Sequence, residues 1–205
     1  ISSVLVHDGL TEKQIELAKE ISSEYFTPLG KTLIHFLPDG KRPSRTHPKE
    51  TVQSNAHPSS LPDSPELKKT IASLLTGGPQ ALTLHPKDRI PAIALLIRKY
   101  QKKSAVRRSV LVLVPEILGA EFLSSSLSDF GVEHILLTSS LTQRNFLTAW
   151  DAARIPGTVL IGTRQSLFAP FADLGMIIMV DADDDAYKQW DMSPRYDARS
   201  VVPML

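Results

Sequence analysis

Two runs of five apolar residues, Val110–Val114 and Met176–Val180, constrain the fold of this chain more than any other feature. They are strand-length, far short of a membrane span, and lack the polar alternation of a half-exposed strand. Such runs belong in a sheet buried on both faces, the setting of parallel strands covered by helices. Further strands are expected at Gln80–Leu84, Glu133–Leu137 and Thr158–Ile161, with the two runs lying in strands Ser109–Val114 and Met176–Val180. Helices are expected at Asp88–Lys102 and Ile117–Asp129, and again from a cap at Ser140 and Gln143 to about Arg154. Ser64-Pro65-Glu66 starts an earlier helix that Gly77 stops. The alternation predicts an α/β fold with a parallel sheet over residues 66–205.

Two segments precede it. In residues 1–37, Thr11 and Gln14 read as a capping box, and Gln14, Ala18, Ile21 and Tyr25 share one helical face. Pro28-Leu29-Gly30 breaks that helix, and Leu33, Ile34 and Leu37 predict a short second one. This piece is too small to bury a core of its own. Residues 38–65 hold six prolines and only Val52 and Leu61 as long aliphatics. Such a stretch cannot offset its ordering entropy by burial, so it is expected to be a disordered linker, with His47 and His57 solvated.

There is no cysteine, which excludes disulfides and thiolate metal sites and fits a reducing compartment. Ile1 is not an initiating methionine and no basic-then-apolar leader follows it, the expectation for a fragment or processed chain. Charge is unevenly spread. Residues 1–110 carry 17 Lys and Arg against 10 Asp and Glu, whereas residues 111–205 carry 6 against 12. A basic half steers toward a polyanion such as nucleic acid, or is simply a solvated face.

Ligands of open parallel sheets bind beyond the carboxyl ends of the strands. The turn His85-Pro86-Lys87-Asp88 has no glycine, loses a donor at Pro86 and places a carboxylate where a phosphate would sit. No nucleotide site is expected there. Asp181-Ala182-Asp183-Asp184-Asp185 follows the last strand. Asp181 stands where nucleotide-splitting motors hold magnesium, but Ala182 supplies no base. The acidic run fails as a calcium loop at Ala186 and Met192. As a phosphoryl-transfer site, Asp181 would be nucleophile and Asp183 acid/base; the alternative is a solvated acidic loop. Gly162-Thr163-Arg164-Gln165 suits contact with a sugar-phosphate backbone or serves as a structural turn. Tyr187, Trp190 and Tyr196, interleaved with Lys188, Arg195 and Arg199, would stack on bases and pair with phosphates, or pack a loop onto the domain. The basic cluster Arg98, Lys99, Lys102, Lys103, Arg107 and Arg108 reads as structural, facing away from the ligand side.

These residues together resemble the bacterial primosomal replication-restart helicase (PriA) family. The resemblance rests on Leu111-Val112-Leu113-Val114-Pro115-Glu116-Ile117, on Val159 through Phe171, and on Leu174-Gly175. It rests further on Tyr187-Lys188-Gln189, Pro194-Arg195-Tyr196 and Ala198-Arg199. Thr11–Pro38 looks like the end of the family's amino-terminal DNA-binding region. The resemblance implies a RecA-like helicase motor lobe at residues 66–205 and a replication-restart role in primosome assembly. It implies contact with forked or single-stranded DNA through Gly162, Thr163, Arg164, Gln165, Lys188 and Arg195, with Tyr187, Trp190 and Tyr196 in an aromatic-rich loop. Other primosome proteins and single-strand-binding proteins are the implied partners, in a bacterial cytoplasmic, nucleoid-associated setting without a membrane. The departures are specific. The phosphate loop is missing, and the family's Asp-Glu-Glu-His is here Asp181-Ala182-Asp183-Asp184. The linker replaces a winged-helix module, and zinc cysteines and a second motor lobe do not occur in these residues. Zinc and ATP are therefore expected only in complete active members, and this chain is expected to bind rather than to hydrolyse. The alternatives are the Asp181/Asp183 phosphoryl-transfer enzyme and an interaction scaffold that does not bind DNA.

Overall fold

The structure, a computed structural model, describes residues 9–38, 64–76, 78–103 and 107–205. Residues 39–63 of the expected linker, with His47 and His57, and the expected helix stop at Gly77 lie outside the described residues, and Pro65, the linker's expected last residue, begins a helix. Helix α1 (Glu12–Glu24) and α2 (Leu29–Leu33), with a 3₁₀ turn at Ile34–Phe36, form the first piece. Then follow α3 (Pro65–Leu74), α4 (Pro86–Lys103), β1 (Ser109–Leu113), α5 (Ile117–Asp129) and β2 (Ile135–Leu137). The chain continues through α6 (Gln143–Ala152), β3 (Val159–Gly162), a 3₁₀ turn at Arg164–Phe168, β4 (Leu174–Met179), a turn at Asp185–Tyr187 and α7 (Ala198–Val201). No described helix is long and apolar enough to cross a membrane.

The sheet has four strands in the order β2-β3-β1-β4, all parallel as the apolar runs predict, an α/β arrangement consistent with the RecA-like lobe that the resemblance implies. Its two-residue period sorts the core into two layers. Leu111, Leu113 and Leu160 face one layer with α1, Trp150, Phe168, Tyr187 and Tyr196. Val110, Val112, Val159 and Ile161 face the other, against Ile93, Ala94 and Ile97 of α4 and Ala120, Leu123 and Leu127 of α5. Each fully buried large side chain of this kind contributes about 1.5–3 kcal/mol of transfer free energy.

One expected strand is absent. Residues Gln80–Leu84 have no regular secondary structure and join no ladder. Only Ala81, Leu82 and Leu84 among them are apolar and Leu82 stays 42% exposed, so burial does not draw the segment into the sheet. The cap of α6 is Thr142, whose hydroxyl accepts from Asn145 N–H, rather than Ser140. Ser140 instead bonds Thr138 and Glu121.

The first piece packs into the larger domain. The capping box of α1 is present, and Gln14 does more than close it. Its side-chain oxygen accepts from Thr11 N–H at 2.9 Å while its amide donates to Phe168 O at 2.8 Å. Leu17, Ala18, Ile21 and Phe36 belong to the same buried cluster as Phe168 and Tyr196. Phe36 and Tyr196 both pack on Phe168, with ring centroids 4.7 and 5.0 Å away.

Candidate nucleic-acid interface

The carboxyl ends of the strands gather the segments singled out by their chemistry. Gly162 ends β3 at a place where no side chain fits. A Cβ there would lie 2.5 Å from Leu137 O and would meet the Ser166 hydroxyl. That hydroxyl donates to Leu137 O, tying the turn after β3 to the end of β2. Thr163 accepts Ser166 N–H on its carbonyl and, like Gln165, is half-buried.

Arg164 turns inward. Its guanidinium donates to Ala186 O at 2.7 Å and also bonds the Tyr196 side chain. Tyr196 is buried, and burial raises its hydroxyl pKa despite the nearby cation. Tyr187 is equally buried. Its hydroxyl lies 2.9 Å from Leu113 O, at the end of β1, and 2.6 Å from Val180 O, just past β4. Burial is the main cause of its raised pKa, and Asp181 and Asp184 add to it. Both tyrosines are core residues and present no ring to a base.

The remaining members of the aromatic-rich loop face outward. Trp190 is 62% exposed, and the Lys188 ammonium sits 5.3 Å from its ring centroid. Lys188 also pairs with Asp185 at 3.3 Å. Gln189 N–H donates to Tyr196 O, and an antiparallel bridge joins Lys188 to Asp197, so the loop has a backbone clasp. Arg195 is exposed and pairs with none of the described residues. Trp190, Lys188 and Arg195 are thus the outward residues of this stretch, while Tyr187 and Tyr196 are buried and Arg164 is half-buried.

The acidic run is largely consumed by the fold. Asp181 takes a left-handed backbone, φ 49°, and pairs with Arg89 Nη1 at 2.9 Å. Asp184 caps the next turn by accepting Ala186 N–H at 2.7 Å. Among the described residues no group of three or more His, Asp or Glu side chains is arranged to hold a metal ion. The turn into α4 also offers no phosphate cradle. Asp88 N–H donates to His85 O, Lys87 N–H approaches His85 Nδ1, and Pro86 has no donor. The acidic run and this turn are thus engaged by bonds within the chain.

Sequence reading missed two pairings. Arg199 grips Asp197 through two bonds of 2.8 Å, and this hydrogen bonding is the main reason that the Asp197 pKa is lowered. Its i, i+2 spacing was a visible signal. Arg89 and Asp181 are 92 positions apart, and no local pattern joins them. The basic cluster at the end of α4 and beyond it is structural where its contacts are seen. Lys99 and Lys103 bond the carbonyls of Lys68 and Leu75, and Arg108 pairs with Asp173 at 3.0 Å.

No family model matches the chain. Curated relatives do, and they share one name, Replication restart protein PriA. The protein of that name from Rickettsia prowazekii is 30% identical over 201 residues, covering 95% of this chain and 30% of the relative. The one from Rickettsia felis is 29% identical over 201 residues with the same coverage. The one from Haemophilus influenzae reaches 43% over 100 residues, 48% of this chain and 14% of the relative. The chain spans between about one seventh and one third of the length of these relatives. Across nearly all of its described and undescribed residues alike, this chain is a homologue of the replication restart PriA proteins.

Proposed function

We propose that this chain is a DNA-binding replication-restart protein that acts in primosome assembly without ATPase or helicase activity. The observation that carries the reading is the outward group of one loop: an exposed Trp190 with Lys188 over its ring and an unpaired Arg195. An aromatic face flanked by cations is what an unstacked base and its phosphate require, and it is sequence-tolerant. The name of the relatives supports the restart role, and the same reading puts single-strand-binding and other primosome proteins among its partners in the bacterial cytoplasm. The absence of an amide nest at Asp88 and the pairing of Asp181 with Arg89 support the lack of nucleotide cleavage. They also weigh against the phosphoryl-transfer alternative, because Asp181 is engaged by a guanidinium.

The test is a fluorescence-anisotropy titration with forked, single-stranded and duplex DNA at two salt concentrations. Forked or single-stranded DNA is expected to bind with a steep salt dependence. Trp190→Ala should weaken binding about tenfold, the scale of one lost base stack. Arg195→Ala should lower the salt slope by about one. No binding at low salt would leave the scaffold reading standing. Binding that both variants retain unchanged would move the interface elsewhere.

A further inference from the structure

In a metal-dependent nucleotide site, the carboxylate ending the strand holds a cation and the bound phosphates bridge strand end to helix start. Side chains of this chain make those connections themselves. Arg89, in the first turns of α4, reaches across to Asp181 at 2.9 Å. Arg164, beyond β3, reaches to Ala186 O at 2.7 Å. Tyr187 sets its hydroxyl between Leu113 O and Val180 O, at the strand ends where a ligand of such a sheet would enter. Asp181, where this loop begins, takes a left-handed backbone, φ 49°.

We propose that Arg89, Arg164 and Tyr187 form a latch that holds residues 181–189 closed over the ends of β1 and β4 with neither nucleotide nor metal. Two separate stretches of chain, at Arg89 and Arg164, bond to one short loop, and Tyr187 of that loop bonds back to the ends of β1 and β4. Their contributions are unequal. The buried tyrosine hydroxyl has one proton to share between Leu113 O and Val180 O, and removing it leaves the nearer, Val180 O, without this donor, while the Arg164 bond is charge-assisted and half-buried. Arg89 and Asp181 are 41% and 45% exposed, so solvent screens their attraction and this arm is the weakest. The consequence is regulatory. Lys188, within the held residues, stays in one position. The latch extends the DNA-binding reading without depending on it, because its bonds are internal to the fold.

Amide hydrogen exchange of the whole chain tests it, with and without magnesium-ATP. The reporters are the amides of Tyr187, Lys188 and Gln189, bonded to Asp184 O, Asp185 O and Tyr196 O. Val110, bonded to Thr158 O inside the sheet, is the reference. Magnesium-ATP should leave the reporters unchanged. Tyr187→Phe should speed their exchange about fivefold, with Val110 unaffected, and Arg89→Gln should speed it about twofold or less. Three results would overturn the latch: a nucleotide-dependent change in the parent, unchanged reporters in Tyr187→Phe, or equal acceleration at Val110. Anisotropy with forked DNA on the same samples separates the two ideas. A parent that binds no DNA removes the functional reading, while the exchange data still decide the latch.

Discussion

His134 carries a protonation-dependent part of the stability. Its Nδ1 lies 2.7 Å from Val132 O, a pure acceptor, so that nitrogen carries the proton. Nε2 of the neutral ring is then free to accept the Ser124 hydroxyl at 2.8 Å, tying α5 to the segment before β2. Burial lowers the pKa below the ordinary 6.5, outweighing the backbone bond that raises it. The unfolded chain therefore takes up a proton at a higher pH than the folded one. Stability should fall as pH drops below 6.5 and level off once the lowered folded value is passed. Urea midpoints at pH 8 and pH 5 check this: the drop should be smaller in His134→Gln than in the parent. An identical drop would assign the acid sensitivity elsewhere. At this same scale, residue chemistry alone did not separate the tyrosines from Trp190. All three are aromatic within ten positions, and only packing decides which ring faces water.

Helix α1 shows how far a local motif reaches. Its capping box is legible from Thr11 and Gln14, because both partners lie within one turn of each other. That the Gln14 amide also bonds Phe168 O, 154 positions away, is not legible, because nothing local encodes it. The two roles separate by mutation. Thr11→Ala removes a cap and should cost about 1 kcal/mol. Gln14→Ala also leaves a buried carbonyl without its partner, and should cost about 1–3 kcal/mol in addition. Chemical denaturation of both variants compares them. Equal losses would show that the tether contributes nothing. The strands behave alike: β1 and β4 could be read from unbroken apolar runs, whereas Gln80–Leu84 reads as a strand but joins no ladder. A strand exists only through its ladder, and ladders are contacts between distant segments.

At the scale of the molecule, the first piece and the motor-type domain are joined through one apolar layer. Phe36, Ile21 and Leu17 are buried against residues of the sheet layer. Deleting residues 1–38 should therefore expose Phe168 and Tyr196, lower the thermal midpoint and raise binding of a hydrophobic dye. A truncated chain that melts like the parent would make the first piece an independent appendage. The period of the apolar residues was enough to determine an α/β domain with a parallel sheet, because burial on two faces leaves that architecture as the stable one. Residue types alone likewise determined that the turn at Asp88 has no glycine cradle, since a missing donor is missing in any fold. The tertiary structure alone decided where the charges go. Arg89 meets Asp181, Arg164 meets Ala186, and Tyr187 spans two strand ends because the sheet brings together segments that are 92, 22 and up to 74 positions apart. Pairings at such distances depend on how the layers close, which local sequence does not contain.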